Sequence, residues 1–353
     1  MRVTDKSSAG SRVPATLYPI GKLPQADLVD LLARALPQHD PRVILGPGLG
    51  RDAAVIDFGD RYLVTKMDPI TFATDQIGWY AVNINANDVA CLGATPRWFT
   101  VTLLLPEGKT DARLVRSIFD QLQSAGEQLG VSVVGGHTEI THGIDRPIVV
   151  GAMFGDVAPE NLVRSDGAQA GDTIVLTKGI AVEGTAILAQ YLAERLAPRL
   201  GAELVARAAG FLHAPGISVV RDAGIAVRAG DVHAMHDPTE GGVATGIREI
   251  TEAAGLGADI QRSALPIYPE THAMCRELGV DPLGLIASGS LLISVASRDA
   301  DAVIEALTEG GIAAAEIGTV RRTPGVDLWD ATGRQPLPVF ARDEIARFYE
   351  SAP

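Results

Sequence analysis

The segment Gly46-Pro-Gly-Leu-Gly-Arg-Asp52 sets three glycines and a carboxylate directly ahead of the apolar run Ala53 to Asp57. Glycines such as Gly48 and Gly50 let backbone N–H groups approach an anion closely, and a neighbouring carboxylate suits a hard cation. An ordinary glycine turn with a capping Asp has the same appearance, and no Gly-Lys-Ser/Thr follows to make a Walker-type loop. Asp68 closes the run Tyr62 to Met67 and precedes Pro69, placing a second carboxylate at a strand end. Asp88, in Asn85-Ala-Asn87-Asp88-Val-Ala-Cys91-Leu-Gly93-Ala94, interrupts an otherwise apolar helical stretch. A buried carboxylate there is unfavourable unless paired or metal-bound, and the alternative is that Asp88 faces solvent. Together Asp52, Asp68 and Asp88 suit Mg²⁺, which takes a few carboxylates alongside phosphate oxygens and water.

Two further segments carry polar groups on glycine turns. Gly135-Gly136-His137-Thr138-Glu139 follows the apolar run Val131 to Val134 and is expected to be a turn facing phosphate, with His137 either a catalytic group or a surface histidine. His236-Asp237-Pro238-Thr239-Glu240-Gly241-Gly242 lies between a strand over 231–235 and a helix starting near Gly242. Thr239 or Asp237 is expected to cap that helix, whose N–H groups and dipole favour an anion. Ser288-Gly289-Ser290 is a further small-residue turn able to approach a ligand.

The elements that must hold these groups follow from periodicity. Leu28, Leu31, Leu32 and Leu36 recur at helical spacing, after a non-periodic arm over residues 1–20. Runs over 53–58 and 62–67, joined at Gly59-Asp60, read as a hairpin. Helices over 77–92 and 114–129 alternate with strands over 98–105, 131–134 and 148–154, giving a mixed α/β unit. The polar, glycine-bearing stretch 159–172 is the expected boundary between domains at 21–160 and 161–340, with a tail over 341–353. The second half opens with a strand over 173–177. It continues through helices near 182–195, 202–210, 216–228, 241–254 and 299–309 and strands near 258–261, 290–296 and 313–320.

The 353-residue chain is longer than one hydrophobic core normally spans, and 46% hydrophobic against 21% charged residues allows two substantial cores. A formal charge of −13 excludes non-specific nucleic-acid or anionic-membrane binding as the default partner chemistry. Cys91 and Cys275 lie far apart with no second cysteine near either, so neither a disulfide framework nor a zinc site is expected. The polar start of the chain carries no secretory signal, and no apolar run approaches the ~18 residues of a membrane span. These features together predict a cytoplasmic protein.

Taken in order, Gly50-Arg-Asp52-Ala-Ala, Asp68-Pro, Asn87-Asp88-Val-Ala-Cys-Leu-Gly93-Ala94, Gly135-Gly-His-Thr138 and Asp237-Pro-Thr-Glu-Gly-Gly242 resemble the AIR synthase (PurM)-like superfamily over roughly residues 20–320. Within it the hydrogenase maturation protein HypE is most similar, although its C-terminal cysteine is replaced here by Phe348-Tyr-Glu-Ser-Ala-Pro353. A thiocarbamoyl group carried on the chain's own tail is therefore not expected. The resemblance implies an α/β (α+β), PurM-like two-domain fold. Its N-terminal domain would form a β-barrel with a second subunit in a homodimer, and its C-terminal domain would hold a mixed sheet.

The same resemblance implies an ATP- and Mg²⁺-using enzyme that phosphorylates an amide or carbonyl oxygen of a small-molecule or protein-borne acceptor. Asp52, Asp68 and Asp88 would hold metal, and Asp88 and His137 would act in catalysis. Gly48, Gly50, Asn87, Gly135, Gly136, Thr138, Asp237, Thr239, Gly241 and Gly242 would surround the nucleotide. A kinase of the thiamine-monophosphate type, or a non-catalytic nucleotide-binding maturation factor, are the alternatives. Lys22 would reach the phosphates from the arm, or lie in solvent.

Overall fold

A computed structural model describes residues 40–48, 51–71 and 75–351, together with a few isolated positions before residue 40. The chain divides into two compact units, Met1–His39 and Asp40–Pro353. In the first, Leu28, Leu31 and Leu32 are helical, as their spacing predicts, while Leu36 and Lys22 lie outside the described residues. The second unit contains two sheets.

The first sheet comprises β1 (Val43–Leu45), β2 (Ala54–Asp57), β3 (Tyr62–Ile70), β4 (Thr95–Pro106), β5 (Ser132–Thr141) and β6 (Ile148–Val157), in the order β1-β2-β3-β6-β4-β5. The expected hairpin forms, with Asp57 opposite Tyr62 and Ala54 opposite Thr65. Its turn is held by the Gly59 amide donating to Asp57 Oδ1 at 2.7 Å. Asp68 does not end its strand as expected. β3 continues to Ile70 because it pairs with β6 along its whole length, from Tyr62–Val157 to Ile70–Val149. The sheet is open, with β1 and β5 as its edges, so one chain alone closes no barrel.

Gly135-Gly136-His137-Thr138 is not a turn. It lies within β5, which pairs in parallel with β4 by opposing Thr100 to Gly135 and Leu103 to Thr138. Gly136 answers to packing, whereas a Cβ on Gly135 would meet nothing within 4 Å. The register slips between Phe99 and Thr100, and a Cβ on Gly136 would stand 1.9 Å from the Val101 carbonyl oxygen. So close a backbone approach beside a bulge admits only glycine.

Helix α1 (Ile77–Cys91) crosses this sheet against β3 and β6 and is itself covered by α2 (Ala112–Leu129). All fifteen residues of α1 are buried. A helix enclosed on every side has no polar face, so each polar residue in it needs a specific partner. The core of this half includes Val64, Phe99, Leu103 and Met153 from the sheet, with Val82 and Val89 from α1.

The second sheet has β7 (Thr173–Thr177), β8 (Val232–His236), β9 (Gly257–Gln261), β10 (Leu292–Val295), β11 (Ala314–Arg321), β12 (Gly325–Asp330) and β13 (Gly333–Pro336), in the order β13-β12-β9-β11-β7-β10-β8. Only β9 and β12 pair in parallel, so the sheet is mixed. Its helices are α3 (Val182–Tyr191), α4 (Ala193–Leu200), α5 (Ala202–Ala209), α6 (Val220–Ala229), α7 (Gly242–Glu252), α8 (Pro269–Leu278), α9 (Ala300–Glu309) and α10 (Glu344–Ser351). Ile174, Leu176, Ile260, Leu292 and Ile317 pack its central core. α6 and β8 also contact α1, which brings the His236-to-Gly242 loop toward Asp88. Among the described residues no helix is long and apolar enough to cross a membrane.

Candidate active site

On β3, Lys66 and Asp68 are two residues apart and share a face, as strand geometry requires. Their side chains pair at 3.3 Å. Asn85 of α1 locks this strand to the helix: its Oδ1 accepts from the Asp68 amide at 2.7 Å and its Nδ2 donates to the Ala81 carbonyl at 2.9 Å. One turn further on, Asp88 meets Lys66 Nζ at 2.7 Å. Asp88 is therefore buried and paired, not solvated. Burial opposes the charge on Lys66, but Asp88, Asp68 and Asp52 outweigh it and hold the ammonium above its ordinary range. Burial pushes the Asp88 carboxyl up to about 6, with Lys66 opposing the rise and Asp52 and Asp68 adding to it. These mutual influences place the three aspartates singled out in the sequence in one electrostatic neighbourhood.

The loop after β8 completes it. His236 Nδ1 lies 3.1 Å from Asp52 Oδ2, and its Nε2 lies 2.9 Å from Glu249 Oε2 on α7. Although burial disfavours its charge, Asp52 and Glu249 raise the imidazole above its usual range, and a carboxylate oxygen at each ring nitrogen favours the doubly protonated ring. Asp237 is 1% exposed, and its Oδ2 has no hydrogen-bond partner. The Cys91 thiol donates weakly to its Oδ1 at 3.7 Å. Burial raises the Asp237 carboxyl well above the usual range, and the charge of Asp88 adds to this. The Cys91 thiol is likewise raised, by burial first and then by Asp237, which leaves it an unreactive thiol.

An orphaned carboxylate oxygen beside other carboxylates is the environment a hard divalent cation would complete, and all the donors are oxygen, as Mg²⁺ prefers. Asp52, Asp68, Asp88 and Asp237 thus fit such an ion by chemistry. Lys66 now supplies the positive charge between Asp68 and Asp88, and among the described residues no three side chains are grouped closely enough to hold a metal as they stand.

Several other candidates fall elsewhere or are already engaged. His137 is an exposed residue of β5 that faces Glu139 at 3.2 Å, with no bond to the carboxylate cluster among the described residues. Asn87 is engaged within the protein at both ends of its amide. Its Nδ2 donates to the Ile217 carbonyl at 2.9 Å and its Oδ1 accepts from the Val219 amide at 2.8 Å, tying α1 to the start of α6. Neither Thr239 nor Asp237 caps α7: the N-cap is Gly241, without a side-chain cap, and its amide donates to Asp343 Oδ2 at 2.8 Å. Gly242, at φ +65°, is required by packing, since a Cβ would stand 2.5 Å from the Leu283 carbonyl oxygen. Gly48 stands beside the Arg51 side chain. Gly50 lies outside the described residues. In the Ser288-Gly289-Ser290 turn the Gly289 carbonyl accepts from Lys178 and Ser290 Oγ donates to the Gly179 carbonyl, so both bonds are structural.

Sequence reasoning missed Lys66, Asn85 and Glu249. A lysine two residues before a site carboxylate on the same strand face was the available signal for Lys66. Glu249 had none, because only the tertiary fold turns α7 toward His236.

Residues 50–157 match the family described as AIR synthase related protein, N-terminal domain, and residues 169–330 match AIR synthase related protein, C-terminal domain. The chain is 32% identical over 287 residues to a protein of Escherichia coli named carbamoyl dehydratase HypE, covering 78% of this chain and 81% of that one. It is also 32% identical over 250 residues to the protein of the same name from Rhizobium leguminosarum bv. viciae, covering 70% and 67%. Among solved structures, hydrogenase maturation protein HypE in complex with ATP superposes with a TM-score of 0.68 at 26% identity, covering 89% of this chain and 95% of that one.

Proposed function

Because the chain belongs to the AIR synthase related protein family, we propose that it is an ATP-dependent phosphoryl-transfer enzyme that phosphorylates an amide or carbonyl oxygen of an acceptor. Its resemblance to proteins named carbamoyl dehydratase, and to a HypE structure holding ATP, supports this reading. The observation that carries it is the convergence of Asp52, Asp68, Asp88 and Asp237 around Lys66 and His236.

Asp52, Asp68 and Asp88 are the residues that would hold Mg²⁺, which neutralises charge on a moving phosphoryl group. Lys66, charged and tethered on β3, is placed to meet phosphoryl oxygens when its carboxylate partners turn to a cation. His236 fixes Asp52 from the opposite side and supplies a second positive charge. Asn85 positions Asp68 by holding its backbone. The acceptor oxygen attacks the terminal phosphorus and ADP leaves. Loss of the phosphorylated oxygen then distinguishes a dehydratase from a kinase, whose phosphoester persists.

The test is ATP turnover with amide acceptors, with product analysis for free phosphate against a stable phosphoester. Asp88→Asn should lower turnover by about 10- to 100-fold or more in protein shown to be folded by circular dichroism. Equal turnover in the variant would refute the assignment, and tight ATP binding without turnover under any condition would favour the non-catalytic alternative.

We further propose the two-domain division at 21–160 and 161–340 and a homodimer joined through the first sheet, in a cytoplasmic protein. Met67, Trp98, Val133, Val134 and Ile140 are exposed apolar residues of that sheet, more than a monomer's surface normally gathers on one element. Sedimentation of the full chain should give a dimer, dissociated by Trp98→Glu with Val134→Lys; a monomeric wild type would refute it.

A further inference from the structure

After β13 the chain returns to α7, the helix that carries Glu249, and is fastened to it at two places. Arg248, beside Glu249, donates to the Leu337 carbonyl, while the Leu337 amide donates to the Val326 carbonyl on β12 at 2.9 Å. Further on, Asp343 Oδ2 accepts from the Gly241 amide at 2.8 Å. Gly241 and Arg248 stand about two helical turns apart. The segment from Leu337 to Asp343 therefore grips α7 both at its start and next to the residue that meets His236.

The chain around Asp343 is itself held. The Phe340 ring fills the space that a side chain on Gly284 would need, and the Glu344 amide donates to the Gly284 carbonyl at 3.1 Å. Glu344 is 5% exposed, and its Oε2 accepts from the Asp281 amide at 2.8 Å. The loop fixed in this way braces the start of α7 from below, because the Ala244 amide donates to the Leu283 carbonyl at 3.0 Å. Asp343 Oδ1 accepts from the Ile345 amide at 2.9 Å, so one carboxylate caps α10 and α7 together.

The first amides of a helix need acceptors from outside it. The N-cap of α7 is a glycine with no side chain to offer, and the acceptor for its amide comes from 102 residues along the chain. That distant carboxylate thus helps to decide where the helix sits. Glu249, on the same helix, lies 2.9 Å from His236 Nε2, and His236 Nδ1 lies 3.1 Å from Asp52 Oδ2. A displacement of α7 by about 1 Å would take Glu249 out of hydrogen-bond range of the imidazole.

We propose that Asp343 is a positioning residue for the site: through the Gly241 amide it sets α7, and with α7 the line of contacts from Glu249 through His236 to Asp52. Both of its oxygens are taken by the Gly241 and Ile345 amides, so it acts on the site only through the helix. This role rests on the reading of the carboxylate cluster as the place of phosphoryl transfer.

The test is a double-mutant cycle on the full chain with Mg²⁺, ATP and amide acceptors, in protein shown to be folded by circular dichroism. Asp343→Ala should lower kcat about tenfold, with KM for ATP within about twofold. In a Glu249→Ala background, where the contact it serves is already gone, the same substitution should lower kcat by less than about twofold. A role in stability alone would leave kcat of the folded protein unchanged or lower it alike in both backgrounds, and either result would overturn the proposal. Hydrogen exchange over residues 241–252 should accelerate in Asp343→Ala, and unchanged exchange would overturn it as well. If Asp343→Ala does not fold, Asp343→Ser, which keeps a cap for α10 and gives up the reach to Gly241, carries the same cycle. If the wild type turns over no acceptor, the proposed activity fails, and the cycle is read instead in the affinity for a non-hydrolysable ATP analogue with Mg²⁺. Coupling between the two substitutions there would uphold the positioning role; independent effects, or no binding at all, would overturn it.

Discussion

Glu183, in the first turn of α3, is a carboxylate with no cation beside it, and its replacement by glutamine should change the sign of its effect with pH. The side chain is 6% exposed, and both its Oε2 and the neighbouring Ser288 hydroxyl lack hydrogen-bond partners. Burial pushes the carboxyl up to about 7 from an ordinary 4.5. Ser288 opposes the rise, while the charges of Glu240 and Asp343 add to it. The Tyr80 hydroxyl, also buried and unpartnered, feels the same negative charge.

A folded-state pKa above the unfolded one means that the stabilising contribution is present below pH 4.5 and is lost as pH rises through 7. The rise corresponds to about 3 kcal/mol, of which roughly 2.5 kcal/mol falls between pH 5 and pH 8. Glu183→Gln removes the titration but leaves an amide with unmatched donors, a penalty of about 1–2 kcal/mol at every pH. The variant should thus be less stable than wild type at pH 5 and more stable at pH 8, by about 1 kcal/mol in each direction. Urea unfolding at constant ionic strength measures this, and titrations of Asp88, Asp237 and His236 cancel in the difference between the two proteins. A stability difference that stays flat from pH 5 to pH 8 would refute the reasoning.

Lys66→Met strips the positive charge from between Asp68 and Asp88 and should cost about 3–5 kcal/mol at pH 8. The loss should shrink toward pH 5, where Asp88 takes up a proton; an unfolding curve unchanged at pH 8 would show that the pair carries no weight. Asn87→Leu keeps the bulk but removes both bonds to the segment ahead of α6, at about 2–4 kcal/mol. Hydrogen exchange at the Val219 amide should accelerate accordingly, and unchanged protection there would contradict the clamp.

The alternation of helix and strand was readable because its cues are local: the hairpin at Gly59, α1, α2 and β7 all follow from period and punctuation. What eluded sequence reasoning is tertiary. β12, β13 and α10 are too short and polar to stand out. Gly135-Gly136 carries the composition of a turn, yet pairing with β4 over many residues overrides it and places both glycines in the strand, directly after a bulge at Val134. Asn87 was expected at the nucleotide because the family resemblance implies it, and a polar residue in an apolar helix is consistent with a function. The same signal arises when a wholly buried helix must bond a neighbouring segment. The burial of Asp88 was legible because a carboxylate in an apolar helix has few innocent explanations.

The polar residues of α1 separate structure from chemistry by whether their demands are met within the protein. Asn83 donates to the Trp79 carbonyl, Asn85 bonds Asp68 and Ala81, and Asn87 bonds Ile217 and Val219, so each asparagine has a structural partner. Asp88 has Lys66, but that lysine is shared with Asp68, and among the described residues the carboxylates Asp52, Asp68, Asp88, Asp237 and Glu249 gather around two cations, Lys66 and His236. Carboxylates gathered this closely repel one another. Such a cluster has a use if the protein must receive positive charge from outside. Burial first, and the neighbouring carboxylates after it, raise Asp88 and Asp237, and a cation at this site would oppose both effects.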